Sequence, residues 1–203
     1  MKDLGLLIIR LVTGGLLAGH GAQKLFGSFG GYGLEGTAGW LESMGMKPGK
    51  SWAAALGLSE FGGGALMTLG LLNPLGAIAA IAAMSGAIVK AHWNKPIWVT
   101  EGGAELPVTN IAIAAALLLA GPGKYSLDEA LDIDLPRPLI FLTALMAALG
   151  VALAARMKAP ATVETETELD ETEEIPERER VLEDLEEPVQ EREMEMEIEF
   201  SKS

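Results

Sequence analysis

No cysteine occurs in the 203 residues. Without a thiol the chain has no thiol–disulfide chemistry of its own and no Cys-ligated iron–sulfur or zinc site. That excludes, for the chain alone, the disulfide-generating chemistry of some small membrane four-helix bundles. Histidine is nearly as scarce, with only His20 and His92, and no H-x-x-x-H or comparable metal-ligand spacing is present. No Ser/His/Asp set can be assembled, so no self-contained catalytic motif is visible. No basic patch exists to meet a nucleic-acid backbone. No A-x-A site follows the first apolar run, and Arg10 interrupts it. That run is therefore expected to be a retained helix and not a signal peptide.

Charge of one sign is missing from the body and concentrated at one end. Residues 1–158 carry 11 Lys/Arg against 10 Asp/Glu, whereas residues 159–203 carry 4 against 18. The acidic isoelectric point is a property of the tail and says nothing about the body.

The body holds long runs of Leu, Ala, Ile and Gly. Residues 4–26, 51–72, 75–93, 107–121 and 138–157 are five candidate spans, judged against the roughly 20 apolar residues that cross a bilayer. The fold class expected is an all-α integral membrane protein. Its organisation reads as a four-helix bundle over 1–135, an additional transmembrane helix over 136–158 and an acidic solvated tail over 159–203. Gly15 with Gly19, Ala53 with Gly57 and Ala79 with Ala83 are small-xxx-small pairs expected at helix crossings. The run Gly62-Gly63-Gly64 should weaken the second span or permit a tight crossing.

Gly31-Tyr32-Gly33-Leu34-Glu35-Gly36 matches the G-x-G-x-x-G dinucleotide spacing. That spacing has meaning only after a strand and at the start of the helix of a βαβ unit. Here it follows a membrane span, and no βαβ pattern exists, so the glycines are read as a sharp turn leaving the bilayer. Beyond them Leu34, Ala38, Leu41 and Met44 recur at helical spacing. This predicts a short amphipathic helix in the membrane interface, with Trp40 at headgroup level.

Alternating spans bring the loops 27–50 and 94–106 to the same side. His20 and Lys24 end the first span there, Lys90 and His92 end the third, and Glu101 and Glu105 lie in the second loop. All four tryptophans, Trp40, Trp52, Trp93 and Trp98, fall at this pole. Arg10 and Glu60 lie deeper, with Glu60 expected near mid-membrane. A charge there costs roughly 2.5–3.5 kcal/mol on insertion scales, so an unpaired one is excluded. On a helical projection Arg10, His20 and Lys24 share one quadrant, and Arg10 or Lys24 is expected to pair with Glu60. The bland readings are a pair that fixes helix register, lysines that snorkel and tryptophans of the membrane belt. As a constellation, these groups suit a polar headgroup or a quinone ring, whose carbonyls take hydrogen bonds and whose reduction takes protons. A bis-histidine haem between His20 and His92 is disfavoured, because both sit at helix ends where no haem-deep pocket is evident.

The stretches H-G-x-Q-K-L-F-G, a glutamate ahead of the glycine run in the second span, E-G-G-x-E-x-P and G-P-G-x-Y-S-L-D together resemble the DoxX family, over about residues 4–131. The resemblance implies a four-helix membrane bundle, in a multi-pass protein of a prokaryotic plasma membrane. The family is related to the DoxD subunit of thiosulfate:quinone oxidoreductases, and some members are described as parts of membrane oxidoreductase complexes. Many have no defined activity. Carried over by position, the motif residues are His20, Gln23, Lys24, Glu60, Glu101 and Glu105. Leu106 stands where an aromatic residue is common.

The expected function is that of a subunit or accessory of a membrane quinone-linked oxidoreductase. His20 and Glu60 would handle protons, and Lys24, Gln23, Arg10, Lys90, His92, Glu101 and Glu105 would form the polar, cofactor-binding pole. No metal is implied, and quinone is the cofactor considered. The competing reading is a non-catalytic scaffold or small-solute carrier. Lysine and arginine counts place the polar pole and the tail in the cytoplasm. The tail reads as a disordered or partly helical solvated segment; the alternative reading makes Met194, Met196, Ile198 and Phe200 an apolar docking strip for a basic partner, such as a soluble oxidoreductase.

Overall fold

The structure is a computed structural model that describes residues 1–159. The acidic segment from residue 160 onward, with its expected docking strip, lies outside the described residues. Every regular element is helical, and no strand occurs among the described residues. The helices are α1 (Lys2–Phe26), α2 (Gly33–Ser43), α3 (Gly49–Leu69), α4 (Leu75–His92), α5 (Glu105–Ala120), α6 (Leu127–Leu131) and α7 (Arg137–Arg156). Two carry a widened π-turn: Arg10–Gly14 within α1 and Ile88–His92 at the end of α4.

Of the five apolar runs, α1, α4 and α7 are long and apolar enough to cross a membrane. The other two fall short for different reasons. α3 has 21 residues, but Glu60, Ser59, Lys50 and its glycines dilute its hydropathy. α5 is apolar but has 16 residues, which at ~1.5 Å per residue is several ångströms less than a ~30 Å hydrocarbon core.

Arg10, Leu17 and Lys24 recur at seven-residue spacing along α1 and all turn inward. Arg10 and Leu17 are each 3% exposed, and the Lys24 side chain is 24% exposed. This inward line decides which small residues meet α3. Gly14, Ala18 and Gly21 do so, while open space lies beside Gly15 and Gly19. The expected Gly15/Gly19 crossing is therefore displaced onto a neighbouring face, because the charged residues, not the glycine spacing, set the rotation of α1. A Cβ on Gly21 would run into the backbone of Phe61, and one on Gly64 would meet the backbone of Ala18 and Gly14. On the other side of α3, Gly63 faces Ala79 of α4. The triple-glycine run thus stays helical and lets α3 lie close to two helices at once.

Behind these seams Leu17, Met67, Ala77, Ala80, Ala83, Met84, Ala114 and Leu117 form the central apolar cluster. A second cluster joins α2, the start of α3 and the last turn of α7 through Ala38, Leu41, Ala53 and Ala154. α2 is therefore amphipathic as expected, but its apolar face meets protein. Glu42 Oε1 accepts a hydrogen bond from the Gly49 amide at 2.8 Å and caps α3. Trp40 stays half outside.

The pole away from the loops 27–50 and 93–104 is closed by Arg10. Its Nε donates to Met67 O at 3.0 Å, Nη2 to Thr68 O at 3.3 Å and Tyr125 O at 3.0 Å, and Nη1 to Pro122 O. These carbonyls belong to the last turn of α3 and to the loop after α5. Asp128, buried in α6, accepts the amides of Leu72 and Asn73, each at 2.7 Å. One cation and one carboxylate thus satisfy backbone groups that the bilayer cannot hydrate. Arg10→Met should lower unfolding stability in detergent by about 3 kcal/mol, since buried carbonyls lose a charged donor. Asp128→Ala should act in the same direction. Unchanged melting of either variant would contradict this role.

Candidate functional site

Lys24, two residues before the end of α1, reaches across the seam to Glu60 of α3, with Nζ to Oε2 at 2.5 Å. Glu60 is 4% exposed, and one of its two oxygens takes the ammonium. Leu25 packs against Gly57, which sets the depth. Glu60, three residues further along α3, is about one helical turn (~5 Å) below that contact. The expectation of a mid-membrane Glu60 is corrected accordingly. The first two turns of α3 rise past the end of α1 beside α2, so distance from the helix start overstates depth.

Arg10 is not part of this group. A helical projection keeps angle and discards depth. Arg10 lies 14 residues from Lys24, about 21 Å along the axis at ~1.5 Å per residue. It serves the opposite pole described above.

Around the pair, His20 Nδ1 hydrogen-bonds Gln23 Oε1 at 3.2 Å. Because the amide oxygen only accepts, the ring nitrogen is the donor in this contact. Gln23 Nε2 in turn donates to Phe29 O at 3.4 Å, in the turn after α1. Thr37 of α2 donates from Oγ1 to Lys24 O at 3.4 Å. The loop is drawn onto α1 so closely that a side chain at Gly31 would collide with the backbone of Gln23. The glycines of the dinucleotide-like spacing therefore serve a turn. On the far side of the α1–α3 seam, Phe26 and Phe61 meet edge to face at 5.5 Å.

The other sequence-predicted residues are held in separate tasks. Lys90 Nζ donates to Met157 O at 2.6 Å, binding the C-terminal end of α7 to the π-turn of α4. His92 Nδ1 donates to Gly102 O at 2.6 Å, and Glu105 Oε2 accepts the Val99 amide at 2.9 Å. These two ties fold residues 93–104 into a compact loop that leaves Glu101, Trp93 and Trp98 exposed. Among the described residues no group of three or more His, Cys, Asp or Glu could hold a metal ion. The structure thus links Lys24 with Glu60 and His20 with Gln23, and gives Lys90, His92 and Glu105 other hydrogen-bond partners.

The DoxX family model matches residues 5–93. The match supports a DoxX family protein over this segment, somewhat under half of the chain. The matched segment spans α1 to α4 and contains the whole Lys24–Glu60 group, and the family is one of helical membrane proteins. The E-G-G-x-E-x-P loop and the G-P-G-x-Y-S-L-D stretch lie beyond the match. No curated protein and no solved structure matches the chain.

Sequence reasoning missed three polar residues. Asp128 and Ser126 had a local signal: Ser126-x-x-Glu129 is a capping pattern, and Ser126 Oγ accepts the Glu129 amide at 3.2 Å. Asn110 had only its isolation among apolar residues.

The unequal exposure of the pair gives an asymmetric prediction. Lys24→Met strands a buried carboxylate and should cost about 3 kcal/mol. Glu60→Gln leaves a lysine that can swing toward the headgroups, and should cost about 1 kcal/mol. The double variant should recover part of the Lys24→Met loss. Detergent melting of the three variants checks the order, and a larger loss for Glu60→Gln would refute it.

Proposed function

We propose that this DoxX protein is a membrane subunit or accessory of a quinone-linked oxidoreductase, with the Lys24–Glu60 pair as its proton-handling centre. The observation that carries this reading is a carboxylate 4% exposed, one turn inside the apolar bundle, held by an ammonium that keeps some access to the surface. A register-fixing pair would be equally well served by full burial of both partners. A lysine offers three N–H donors, so the ammonium that holds Glu60 retains donors for a carbonyl oxygen. A bound quinone would supply the two-electron carrier, with electrons arriving from a partner redox protein. Glu60 would hold or release a proton at Oε2, and Lys24 would orient a carbonyl acceptor. His20, whose Nε2 has no hydrogen-bond partner among the described residues, would exchange protons with the aqueous side. In this reading the pole with the loops 27–50 and 93–104 faces the cytoplasm, and the acidic tail recruits a soluble partner.

The test is solvent extraction of gently purified protein, followed by quinone quantitation per chain, for wild type, His20→Ala and Glu60→Gln. Near-stoichiometric quinone in wild type, reduced at least several-fold in folded Glu60→Gln, is the expected outcome. Absence of quinone from every sample would turn the assignment toward a scaffold or small-solute carrier.

A further inference from the structure

The seams α1–α3, α3–α4 and α4–α5 are closely packed, through the glycines described above and through Met84, Ala114 and Leu117. The fourth seam, between α5 and α1, is looser, and its contact is chiefly at the π-turn Arg10–Gly14, at the closed pole. Leu17 of α1 and Ala114 of α5 share the central cluster, which sets the two antiparallel helices in register. From that level toward the polar pole, His20 and Lys24 lie one to two turns along α1, and Asn110 lies one turn along α5. All three fall within about 10 Å of the shared level.

Asn110 sits poorly satisfied in an apolar run. Its Nδ2 meets Met84 Sδ at 3.7 Å, and a thioether is a weak acceptor. Its Oδ1 accepts no hydrogen bond among the described residues. Every fully buried side-chain polar atom there has a partner, so this oxygen lies on accessible surface. An amide that meets only hydrocarbon is costly in a bilayer. The seam therefore offers the Asn110 amide between apolar walls, and the Lys24 ammonium, which holds Glu60, lies about one turn nearer the polar pole on α1. That combination fits a molecule with an apolar body and acceptor oxygens.

We propose that the α1–α5 seam is the membrane-side opening of the polar site. Across it from Lys24, Asn110 gives a second hydrogen bond to a lipid-soluble ring bearing carbonyl oxygens. This rests on the quinone reading above and adds its route and a specificity-determining residue.

The full chain, reconstituted in vesicles free of native quinone, is photolabelled with an azido-benzoquinone carrying a decyl tail, and the labelled peptides are mapped. Saturable labelling should fall on residues 16–26 and 107–118 and be competed by unlabelled decyl-benzoquinone. Asn110→Leu should weaken binding by about 3- to 10-fold, the value of one neutral hydrogen bond, and Asn110→Gln should restore most of it. Detergent melting of Asn110→Leu at or above wild type shows that the variant is folded. If it is not folded, the peptide map decides alone. Saturable, Glu60-dependent binding that maps to other helices, or that ignores Asn110→Leu in the folded variant, overturns the seam and leaves the quinone reading standing. No saturable labelling in wild type overturns both.

Discussion

A charged side chain inside a bilayer has no water to turn to, and two such side chains lie on α1. Arg10 and Lys24 both find protein partners inward, at the two ends of one helix face. Much of the packing follows from that. With the Arg10–Leu17–Lys24 line fixed toward the interior, Gly14, Ala18 and Gly21 come to face α3. The close approach at those positions then places the Glu60 carboxylate within reach of the ammonium. The π-turn that begins at Arg10 is part of the same accommodation. Such turns occur where a helix must re-aim a side chain without breaking, and often at functional sites.

The two ends differ in kind. At the Arg10 end every feature closes the molecule: four backbone carbonyls on the guanidinium and two amides on Asp128. At the Lys24 end the groups are held with capacity to spare. One oxygen of Glu60 takes the ammonium at 2.5 Å, His20 Nε2 has no hydrogen-bond partner among the described residues, and the adjoining seam with α5 is only loosely packed. The described residues are tied together by hydrogen bonds to backbone carbonyls at the Arg10 pole and are less densely tied at the Lys24 pole.

The helices and the family were legible in the sequence because span length and motif order depend on composition and spacing alone. The pairing of Lys24 with Glu60 was legible because an apolar bundle makes a lone buried carboxylate costly. What escaped depends on quantities that a projection does not contain. Arg10 shares an angle with Lys24 but not a depth, so it was assigned to the wrong pole. Glu60 was placed too deep because the overhang of α3 beyond α1 is a tertiary fact. Gly15 and Gly19 have the right spacing but lose the crossing to residues whose rotation is dictated by charge. Lys90, His92 and Glu105 look like site residues by type, yet each serves a local backbone group: a helix end for Lys90 and a loop for the other two. Asn110, a single amide in an alanine- and leucine-rich helix, has no spacing pattern at all.

The identity of the two cations matches the work of each pole. Arginine presents five N–H groups in a rigid fork and holds its charge under all ordinary conditions. It suits a position where several carbonyls must be satisfied permanently, as Arg10 does across α3 and the loop after α5. Lysine is a compact charge on a flexible stem, with three rotatable donors. It can hold one carboxylate and still turn a donor toward a second acceptor. Exchanging the two residue types would place a fixed fork where adaptability is useful and a single mobile charge where a permanent brace is required. The order of cations along α1, Arg10 at the densely tied end and Lys24 at the less densely tied one, is therefore the physical reason that chemistry is sought at one pole only.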